Sequence, residues 1–314
     1  MAHNNAIDLN LTVNKAALKA LYKTRPLRHV AGIAFDWLVI ATTIYLCHTY
    51  FNPFLYILAI LIIGARMHAL AILMHDATHF RFLQNRKLND LLTNLLCMYP
   101  IFSSIEQYRQ NHLRHHRHLN TDDDPDWFVK LGKKEFQFPK SRREFLLIVF
   151  SYFSLWRGLS DAIWFLKRFG GSKTNGKSNL TLAQKLPRLL FYVVLFSGIT
   201  WLGIWAEFAL YWIIPYFSTF FMFQYIRSVA EHFGELEYEH LLGSTRTIHA
   251  NPIERFFLAP HNVSYHLEHH LYPGVPFYNL PALHEMLMEE DEYEEKAHIT
   301  LGYWNGLMGE LGGS

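Results

Sequence analysis

Histidine is the residue type whose number and spacing stand out in this chain. The 314 residues include 19 histidines, and nine of these fall in four short segments, HDATH, HLRHH, RSVAEH and HLEHH. Residues three or four apart lie on one face of a helix, so HxxxH and HxxHH each present two or three imidazole rings in one direction. Neutral imidazole binds iron, zinc, copper and nickel. The segments therefore predict a metal centre with nine candidate ligands: His75, His79, His112, His115, His116, His232, His266, His269 and His270.

The number of rings favours two metal ions, because nine imidazoles exceed what one tetrahedral or octahedral ion can use. Catalytic zinc usually takes three protein ligands and leaves one position open, which argues against a membrane zinc hydrolase. A metal carrier would place its polar ligands near the middle of the membrane. A lone HxxxH, or a lone His232, would more often be an ordinary histidine. Two copies of HxxHH together with one HxxxH are much more typical of a metal site than of ordinary histidines.

Carboxylates beside the histidines are candidates for orienting the rings. Metal-bound histidines usually donate the free ring N–H to a carboxylate or a carbonyl group. The same acids could equally cap helices or balance nearby arginines. Asn262 is a further candidate, for orienting or binding a metal-bound water. The acidic candidates are Asp76, Glu231, Glu268, Asp122, Asp123, Asp124 and Asp126.

The remaining histidines lack the repeated spacing and are left out of the ligand set. His68 lies inside an apolar stretch, seven residues before His75, and we expect it to be a hydrogen-bonded packing residue. A single ExxH formed by Glu237 and His240 has no second copy and carries little weight. Other histidines left out of the ligand set include His118, His249, His261, His284 and His298.

Two pairs of long apolar segments must position these residues. The first pair runs from Ala31 to Tyr50 and from Phe51 to Met74, with a turn at Asn52-Pro53. The second pair runs from Leu186 to Ser228 and turns near Trp201 to Glu207. Each segment is close to the 20 residues that a helix needs to cross a bilayer. We therefore expect an all-α integral membrane protein with two transmembrane helical hairpins, that is, four spans.

Two weaker apolar stretches, Leu91 to Ile105 and Phe145 to Leu166, are interrupted by a proline or by charged residues. We expect interfacial helices there, one of which could be re-entrant. Pro215 is expected to kink the fourth span. Residues 1–30 would form an N-terminal arm, residues 31–290 the membrane domain with a histidine-rich cap, and residues 291–314 a C-terminal tail.

Charge sets the expected orientation and excludes some partners. The N-terminal arm and the long middle segment are rich in lysine and arginine, whereas the two tight turns carry neither. By the positive-inside rule both termini and all nine histidines face the cytoplasm, in a bacterial inner membrane or an endoplasmic reticulum. The net charge of +2 gives no reason to expect nucleic acid as a partner. The two cysteines, Cys47 and Cys97, form no CxxC, so no iron–sulfur site is encoded.

The histidine segments and their flanks resemble the membrane fatty acid desaturase and hydroxylase superfamily. The matching elements are HDATH, HLRHH followed shortly by NTDDDPD, RSVAEH, and HNVSYHLEHHLYPGVPFYNLPALH. The last of these is most similar to the acyl-lipid or acyl-CoA desaturase branch. The resemblance implies a mushroom-shaped helical protein with a di-iron centre (Fe2+/Fe3+) under a cytoplasmic cap. It also implies that His232 joins the eight box histidines as a ligand.

The function implied by the resemblance is O2-dependent desaturation of a fatty acyl chain at this di-iron centre. A di-iron hydroxylase or ketolase acting on a lipid, sphingolipid or carotenoid is the alternative, because related enzymes share the histidine boxes. The chain has neither the HPGG haem motif of fused cytochrome modules nor a GxGxxG nucleotide fingerprint. Electrons would then come from a separate ferredoxin or b-type cytochrome, reduced from NAD(P)H.

Overall fold

A computed structural model describes residues 13–170 and 182–312, and the first twelve residues of the predicted N-terminal arm lie outside this part. The described chain is mostly helical. Its α-helices are α1 Lys15–Leu21, α2 Pro26–Thr49, α3 Pro53–Thr78, α4 Arg86–Thr93, α5 Ile105–Arg117, α6 Pro125–Phe128, α7 Arg142–Ser151, α8 Trp156–Gly170, α9 Leu182–Leu202, α10 Trp205–Phe208, α11 Phe221–His232, α12 Pro252–Phe257, α13 His266–Leu271, α14 Leu280–Leu287, α15 Asp291–Lys296 and α16 Met308–Glu310.

Short helical turns of other types and one pair of strands complete the described chain. The 3-10 turns are Lys134–Phe136, Tyr152–Ser154, Leu241–Gly243, Pro260–Asn262 and Phe277–Asn279. The π-helical segments are Asn94–Met98, Ala209–Ile213, Tyr216–Phe220 and Gly302–Leu307. Strands β1 Thr247–Ile248 and β2 Ile299–Thr300 pair in parallel. The described chain is therefore mostly helical with almost no strand, which agrees with the predicted all-α class.

Four helices within the described residues are long and apolar enough to cross a membrane. They span Pro26–Thr49, Pro53–Thr78, Lys185–Leu202 and Trp205–His232. These are the four predicted spans, and the breaks at residues 50–52 and 203–204 fall where the turns were expected. The chain is thus an integral membrane protein by the length and composition of its helices. The antiparallel arrangement of two hairpins stays a prediction.

The ends of the first two spans differ from the predicted ends for local reasons. Helix α2 begins at Pro26 rather than Ala31, because proline needs no N–H partner in the first turn and its backbone angle suits a helix. Helix α3 begins after Asn52, whose side chain accepts a hydrogen bond from the Leu55 N–H at 3.0 Å. It continues past Met74 to Thr78. The first histidine of HDATH is therefore part of the span itself.

The two weaker apolar stretches do not form simple helices. In the first, α4 runs directly into a π-helical turn, Asn94–Met98, and a second helix begins only at Ile105. In the second, Arg142–Ser154 and Trp156–Trp164 meet at 89°, so this pair could be a broken span or a re-entrant segment. The bend follows Leu155, a non-glycine residue with φ of 62°. At the predicted kink, Pro215 separates two π-helical segments of the fourth span.

The second and fourth spans approach closely at Gly64. A Cβ atom at this position would lie 2.1 Å from Oγ1 of Thr219, so only glycine fits there. The Thr219 hydroxyl donates a hydrogen bond to the Ile60 carbonyl of α3. Since α3 leads to His75 and the fourth span leads to His232, this contact fixes the spacing of two elements that carry the histidines.

A buried ion pair ties the first two spans to the C-terminal region. Asp36 of α2 accepts a hydrogen bond from Arg66 Nη1 of α3 at 3.0 Å, and both side chains are almost fully buried. His261 Nε2 lies 2.8 Å from the other carboxylate oxygen of Asp36. Arg66 also donates to the Phe256 carbonyl. Asp36, the charged residue inside the first apolar segment, therefore has a partner on each carboxylate oxygen, as a charge inside a membrane span requires.

Candidate metal centre

Four elements bring the histidine segments together. Helix α3 ends with His75 in its last turn and His79 immediately after it. Helix α5 presents the three histidines of HLRHH, α11 ends at His232, and α13 consists almost entirely of HLEHH. The elements meet where both long spans end. The nine predicted histidines therefore lie at a single place in the fold, although they come from segments spread over nearly 200 residues.

Eight of the nine rings form two groups of four. Within each group, one nitrogen from every ring lies within 4.8 Å of the others. The first group is His75, His112, His116 and His269. The second group is His115, His232, His266 and His270. Most of these side chains are buried, and His116 and His270 are half-buried.

The ninth histidine, His79, adjoins the first group. Its Nε2 lies 2.9 Å from Nε2 of His112, and its ring centre lies 5.1 Å from that of His116. The two groups are themselves neighbours, since the rings of His116 and His270 are 4.3 Å apart. The arrangement is thus five rings beside four. The sequence, by spacing for eight histidines and by resemblance for His232, predicted the set but not this division.

The ring nitrogens converge in a way that hydrogen bonds alone cannot satisfy. In the first group Nε2 of His116 lies 2.9 Å from Nε2 of His112 and 3.0 Å from Nε2 of His269. In the second, Nε2 of His266 lies 3.0 Å from Nε2 of both His232 and His270. In a neutral imidazole each Nε2 carries either one hydrogen or one lone pair, so a nitrogen that faces two others, as in His112, His116 and His266, cannot form a full hydrogen bond with both. A cation bound between them resolves this conflict, and the residues therefore fit two metal ions.

Two carboxylates contact rings of the second group. His115 Nδ1 lies 2.8 Å from Asp124 Oδ2, and Asp124 also accepts hydrogen bonds from two backbone N–H groups of its own loop. Glu231 Oε1 lies 3.5 Å from Nδ1 of His266 and is paired with Arg227 at 2.6 Å. A carboxylate on Nδ1 holds the ring with Nε2 free, which is the form that binds a metal. Asp124 is thus placed to orient its ligand, whereas Glu231 lies near His266 without a hydrogen bond to its Nδ1.

The other predicted carboxylates have different partners. Glu268 is fully buried, but its carboxylate bonds with His284 Nδ1 and accepts hydrogen bonds from the Thr247 and Tyr293 hydroxyls. Asp76 accepts a hydrogen bond from the Phe277 N–H and lies 3.5 Å from Nδ1 of His29. The other acids of this set do not contact the rings.

Four further candidates in the middle and C-terminal segments also have identified positions or partners. Asp123 pairs with Arg114 at 3.4 Å on the surface, Asp126 pairs with Lys130 at 3.0 Å, and Asp122 is exposed. The Asn262 amide donates to the Phe277 carbonyl at 3.1 Å, and its role toward a metal-bound water stays a prediction. Among the predicted acids, Asp124 and Glu231 are therefore the two that lie beside rings of the second group.

The candidate histidines that lie outside the membrane spans are kept in their neutral form by burial. This burial lowers the pKa of His79 to about 4. Removal from water, reinforced by neighbouring rings, also lowers the pKa of five others well below the ordinary value: His112, His116, His266, His269 and His270. A neutral ring has a lone pair for a metal, whereas a protonated ring has none.

The histidines left out of the predicted set lie outside both groups. His284 bonds with Glu268, His298 with Glu310, and His261 with Asp36. Sequence reasoning missed the buried cluster of Glu268, His284, Tyr293 and Thr247, because its members come from four separate elements. The short LPALH motif was the one available sign of His284.

A very small cavity, with room for about one water molecule, adjoins the histidines. Its walls include His75, His266 and His269 from the two groups and the apolar side chains of Ile72, Phe277 and Leu280. Apolar side chains and imidazoles therefore meet at this small space beside the nitrogens that converge.

Comparisons with known proteins agree with this geometry. Residues 51–302 match the family Fatty acid desaturase. The chain is 32% identical to dihydrorhizobitoxine desaturase of Bradyrhizobium elkanii, over 96% of this chain and 86% of that protein. It is 23% identical to the sn-1 oleoyl-lipid 12-desaturase of Anabaena variabilis, over 81% and 74% of the two chains. It is 26% identical to a chloroplastic omega-6 fatty acid desaturase of Glycine max, over 72% and 54%.

The helical membrane fold and the clustered histidines define a membrane oxidoreductase of the histidine-box type. The chain belongs to the fatty acid desaturase family, since the family match covers most of its length. The resemblance drawn from the histidine segments is thereby confirmed. Dihydrorhizobitoxine desaturase is not named for a fatty acid substrate, so membership alone leaves the substrate open.

Proposed function

We propose that this protein carries out O2-dependent desaturation of an acyl chain at a di-iron centre held by the nine histidines. The observation that carries the proposal is the convergence of eight imidazoles into two groups of four, with His79 beside the first. Two adjoining groups of this size match two ions better than one. The donors are all imidazole nitrogens, as expected for iron in this family.

The metal ions would supply the oxidising power that the side chains lack. An unactivated methylene group has no acidic proton, so acid–base residues cannot break its C–H bonds. Two bound irons, with O2 and two external electrons, supply the chemistry that removes hydrogen from adjacent carbons. The protein then has to bind the chain, orient it and exclude competing reactions.

The residues around the groups are suited to these tasks. Asp124 holds the proton of His115 at Nδ1 and so directs Nε2 toward the second group. Arg227 pairs with Glu231 and holds that carboxylate beside His266. The apolar walls formed by Ile72, Phe277 and Leu280 keep water away from the reacting carbons.

The acyl substrate is supported by the cavity and by several relatives. The side chains of Ile72, Phe277 and Leu280 give the small cavity beside the imidazoles an apolar wall, which suits a hydrocarbon chain better than a polar substrate. Relatives from Anabaena variabilis and Glycine max are named for oleoyl-lipid and fatty acid substrates. A hydroxylase or ketolase is the second candidate, because capture of an oxygen atom instead of loss of a second hydrogen needs only a small change in placement.

The orientation and the electron source complete the proposal. The middle segment that carries α5 is rich in basic residues, so the centre faces the cytoplasm. The sequence contains no HPGG haem motif. A separate ferredoxin or b-type cytochrome, reduced from NAD(P)H, would therefore deliver electrons to this face.

Expression in a host followed by mass spectrometry of its lipids tests the proposal. We expect acyl chains that have lost two hydrogens, absent from cells that express His116→Ala at an equal level in the membrane. His249→Ala is the matched control, because His249 lies outside both groups, and it should retain the product. A product that has gained oxygen would replace desaturase by hydroxylase or ketolase, and an unchanged lipid profile would count against both.

A further inference from the structure

The C-terminal region carries an exposed apolar surface outside the four spans. Ile253 of α12 is 72% exposed, and Leu301 and Trp304, in the turn formed by residues 301–304, are 72% and 60% exposed. None of the three side chains takes part in the proposed chemistry. Large apolar side chains that are exposed together mark a surface that contacts something other than water.

Glu254 of α12 holds the turn 301–304 beside the helix. Its Oε1 accepts hydrogen bonds from the backbone N–H groups of Tyr303 and Trp304, at 2.8 and 3.2 Å. Its Oε2 accepts a hydrogen bond from the Asn251 N–H at 3.0 Å. Both oxygens of this carboxylate therefore have partners. Ile253 is the next residue to Glu254, so it lies on the same surface as Trp304.

Helix α12 packs against the second span at a depth inside the membrane. Arg66 of α3 donates a hydrogen bond to the Phe256 carbonyl, and its guanidinium carbon lies 4.1 Å from the centre of the Phe256 ring. The hydrocarbon layer takes about 20 helical residues, and α3 has 26. Any run of that length within α3 includes Arg66. Phe256 therefore lies at the depth of the hydrocarbon layer.

The fourth span gives the same depth for the next residue of α12. The rings of Phe257 and Phe223 have their centres 6.4 Å apart. Phe223 belongs to Trp205–His232, a span of 28 residues, and any run of about 20 residues in it includes Phe223. Two consecutive residues of α12 thus contact the membrane interior of two different spans.

The Phe223 ring also packs on the interior of α3. It stacks on His68 with the ring centres 6.3 Å apart. Neither ring nitrogen of His68 has a hydrogen-bond partner among the residues that the structure describes, so the expectation of a hydrogen-bonded packing residue is wrong in its first half. The contact of Phe223 with both α3 and α12 is consistent with the depth derived from Arg66.

The chain reaches α12 from the histidine region and then returns to it. Before α12, the Thr247 hydroxyl donates to Glu268, which adjoins the candidate ligand His269. After α12, the chain continues to His266 at the start of α13. Arg66 precedes His75 by nine residues, about 13 Å of helix rise, so α12 lies well to the membrane side of the rings. This path is that of a re-entrant segment.

The lipid-facing surface of the first span continues onto α12. Phe35 of α2 is 49% exposed, and its ring centre lies 6.0 Å from the guanidinium carbon of Arg66. The same guanidinium contacts Phe256, so Arg66 lies between an exposed residue of the span and α12. The bilayer that surrounds α2 is therefore the nearest apolar medium for the exposed face of α12.

We propose that α12 and the turn 301–304 are inserted in the bilayer as a re-entrant element, with lipid acyl chains packed on Ile253, Leu301 and Trp304. Tryptophan is enriched at the boundary between headgroups and hydrocarbon, where Trp304 would lie. The exposed Arg255 extends its charged group toward the headgroups, as long basic side chains do near an interface. The region that carries the third histidine box is then partly a membrane element rather than wholly a cap.

Fluorescent labels at the three exposed positions test this inference with purified protein in lipid nanodiscs. Ile253→Cys, Leu301→Cys and Trp304→Cys are each labelled with the environment-sensitive dye NBD. Cys47 and Cys97 are buried, and the unaltered protein measures their background labelling. Doxyl-labelled lipid quenches the dye from the bilayer, and iodide quenches it from water. We expect loss of emission with the lipid quencher but not with iodide, and a shift of the emission to shorter wavelength.

Two further positions provide the references for these labels. Leu38→Cys, at a 66% exposed residue of the first span, should show quenching by lipid. Asp123→Cys, at an exposed side chain beside Arg114, should show quenching by iodide. Quenching by iodide at the three test positions, as at Asp123, would overturn the inference.

Protection from both quenchers would overturn it as well, because protein, such as a second copy of this chain, would then cover the face. Substitution of exposed residues usually has little effect on stability, so the variants should insert normally. If one variant fails to insert, the labels at the other two positions decide. The outcome does not depend on which reaction the metal centre catalyses.

Discussion

His269 and His270 are consecutive residues of α13, yet they belong to different groups of rings. His269 lies with His75, His112 and His116, whereas His270 lies with His115, His232 and His266. Successive residues of a helix point about 100° apart. Helix α13 therefore lies between the two groups and contributes to each. The HH pair of HLEHH thus joins the two proposed metal sites, and so does the HH pair of HLRHH, because His116 belongs to the first group and His115 to the second.

This relationship predicts that single substitutions remove metal from one group at a time. His269→Ala should weaken the first group and His270→Ala the second, so each should lower the bound iron from about two to about one per chain. Metal content of the purified variants, by plasma mass spectrometry, measures this.

The half-exposed His240, which lies outside both groups, gives the matched control His240→Ala with full iron content. If each single variant lost both irons, the two groups would act as one cooperative site. That result would contradict two separate metal sites, one in each group of histidines.

Replacement of the carboxylate beside His115 should weaken metal binding without removing a ligand. Asp124→Asn keeps the size of the side chain but loses the charge that holds the His115 proton at Nδ1. We expect iron affinity to fall about 10- to 100-fold, and activity to fall with it. Iron loss during titration with a chelator is the measurement. Asp123→Asn, at a neighbouring exposed residue that pairs with Arg114, should behave like the unaltered protein. Equal chelator sensitivity of the two variants would refute this role.

The elements that could be predicted from the sequence were those with strong local signals. The four spans follow from continuous apolar stretches, and the breaks follow from residues such as Asn52 and Pro53. Eight of the nine histidines follow from their spacing, and His232 follows from the family resemblance. The start of α2 was placed five residues late, because Arg28 and His29 made the segment look polar, although Pro26 is a favourable first residue.

The parts that could not be predicted depend on contacts between distant segments. No local pattern shows that His261 pairs with Asp36, which is 225 residues away, or that His284 reaches Glu268. The same holds for the division of the rings, because the spacing of HLEHH places all three histidines on one helix but does not show which neighbours each one meets. Glu268 adjoins His269 in sequence, yet its carboxylate bonds with His284.

The cluster around Glu268 should be important for the stability of the cap. Its carboxylate is fully buried and has three partners, His284, Thr247 and Tyr293. Glu268→Ala leaves these partners unpaired and should cost about 3–5 kcal/mol, as for a broken buried pair. A lower thermal unfolding temperature in detergent would report this, with a smaller decrease for Glu268→Gln. Glu285→Ala, at an exposed position of α14, is the control, and an equal effect there would argue against a special role for the cluster.

The metal-free protein should lose stability on mild acidification. Burial lowers the pKa of His79 to about 4, and it lowers the pKa of His112, His116 and His269 as well. The unfolded chain takes up protons near the ordinary histidine pKa of about 6.5. Stability is therefore intact above about pH 6.5 and falls as the pH drops toward 4, by at most about 1.4 kcal/mol per histidine and pH unit.

Unfolding temperatures between pH 8 and pH 5, with and without iron, measure this dependence. The iron-loaded protein should withstand a lower pH, because a bound metal competes with the proton for the same nitrogen. A metal-free protein with a flat profile over this range would contradict the burial of neutral rings.

The dependence of activity on bound iron tests the central proposal most directly. Protein stripped of metal is reloaded with graded amounts of ferrous iron or zinc, and bound metal and desaturated product are measured on the same samples with a reduced electron donor and O2. We predict that activity rises with iron and reaches its maximum at about two irons per chain, the number of histidine groups, and that zinc gives none. Full activity with zinc, or without any metal, would contradict the di-iron account.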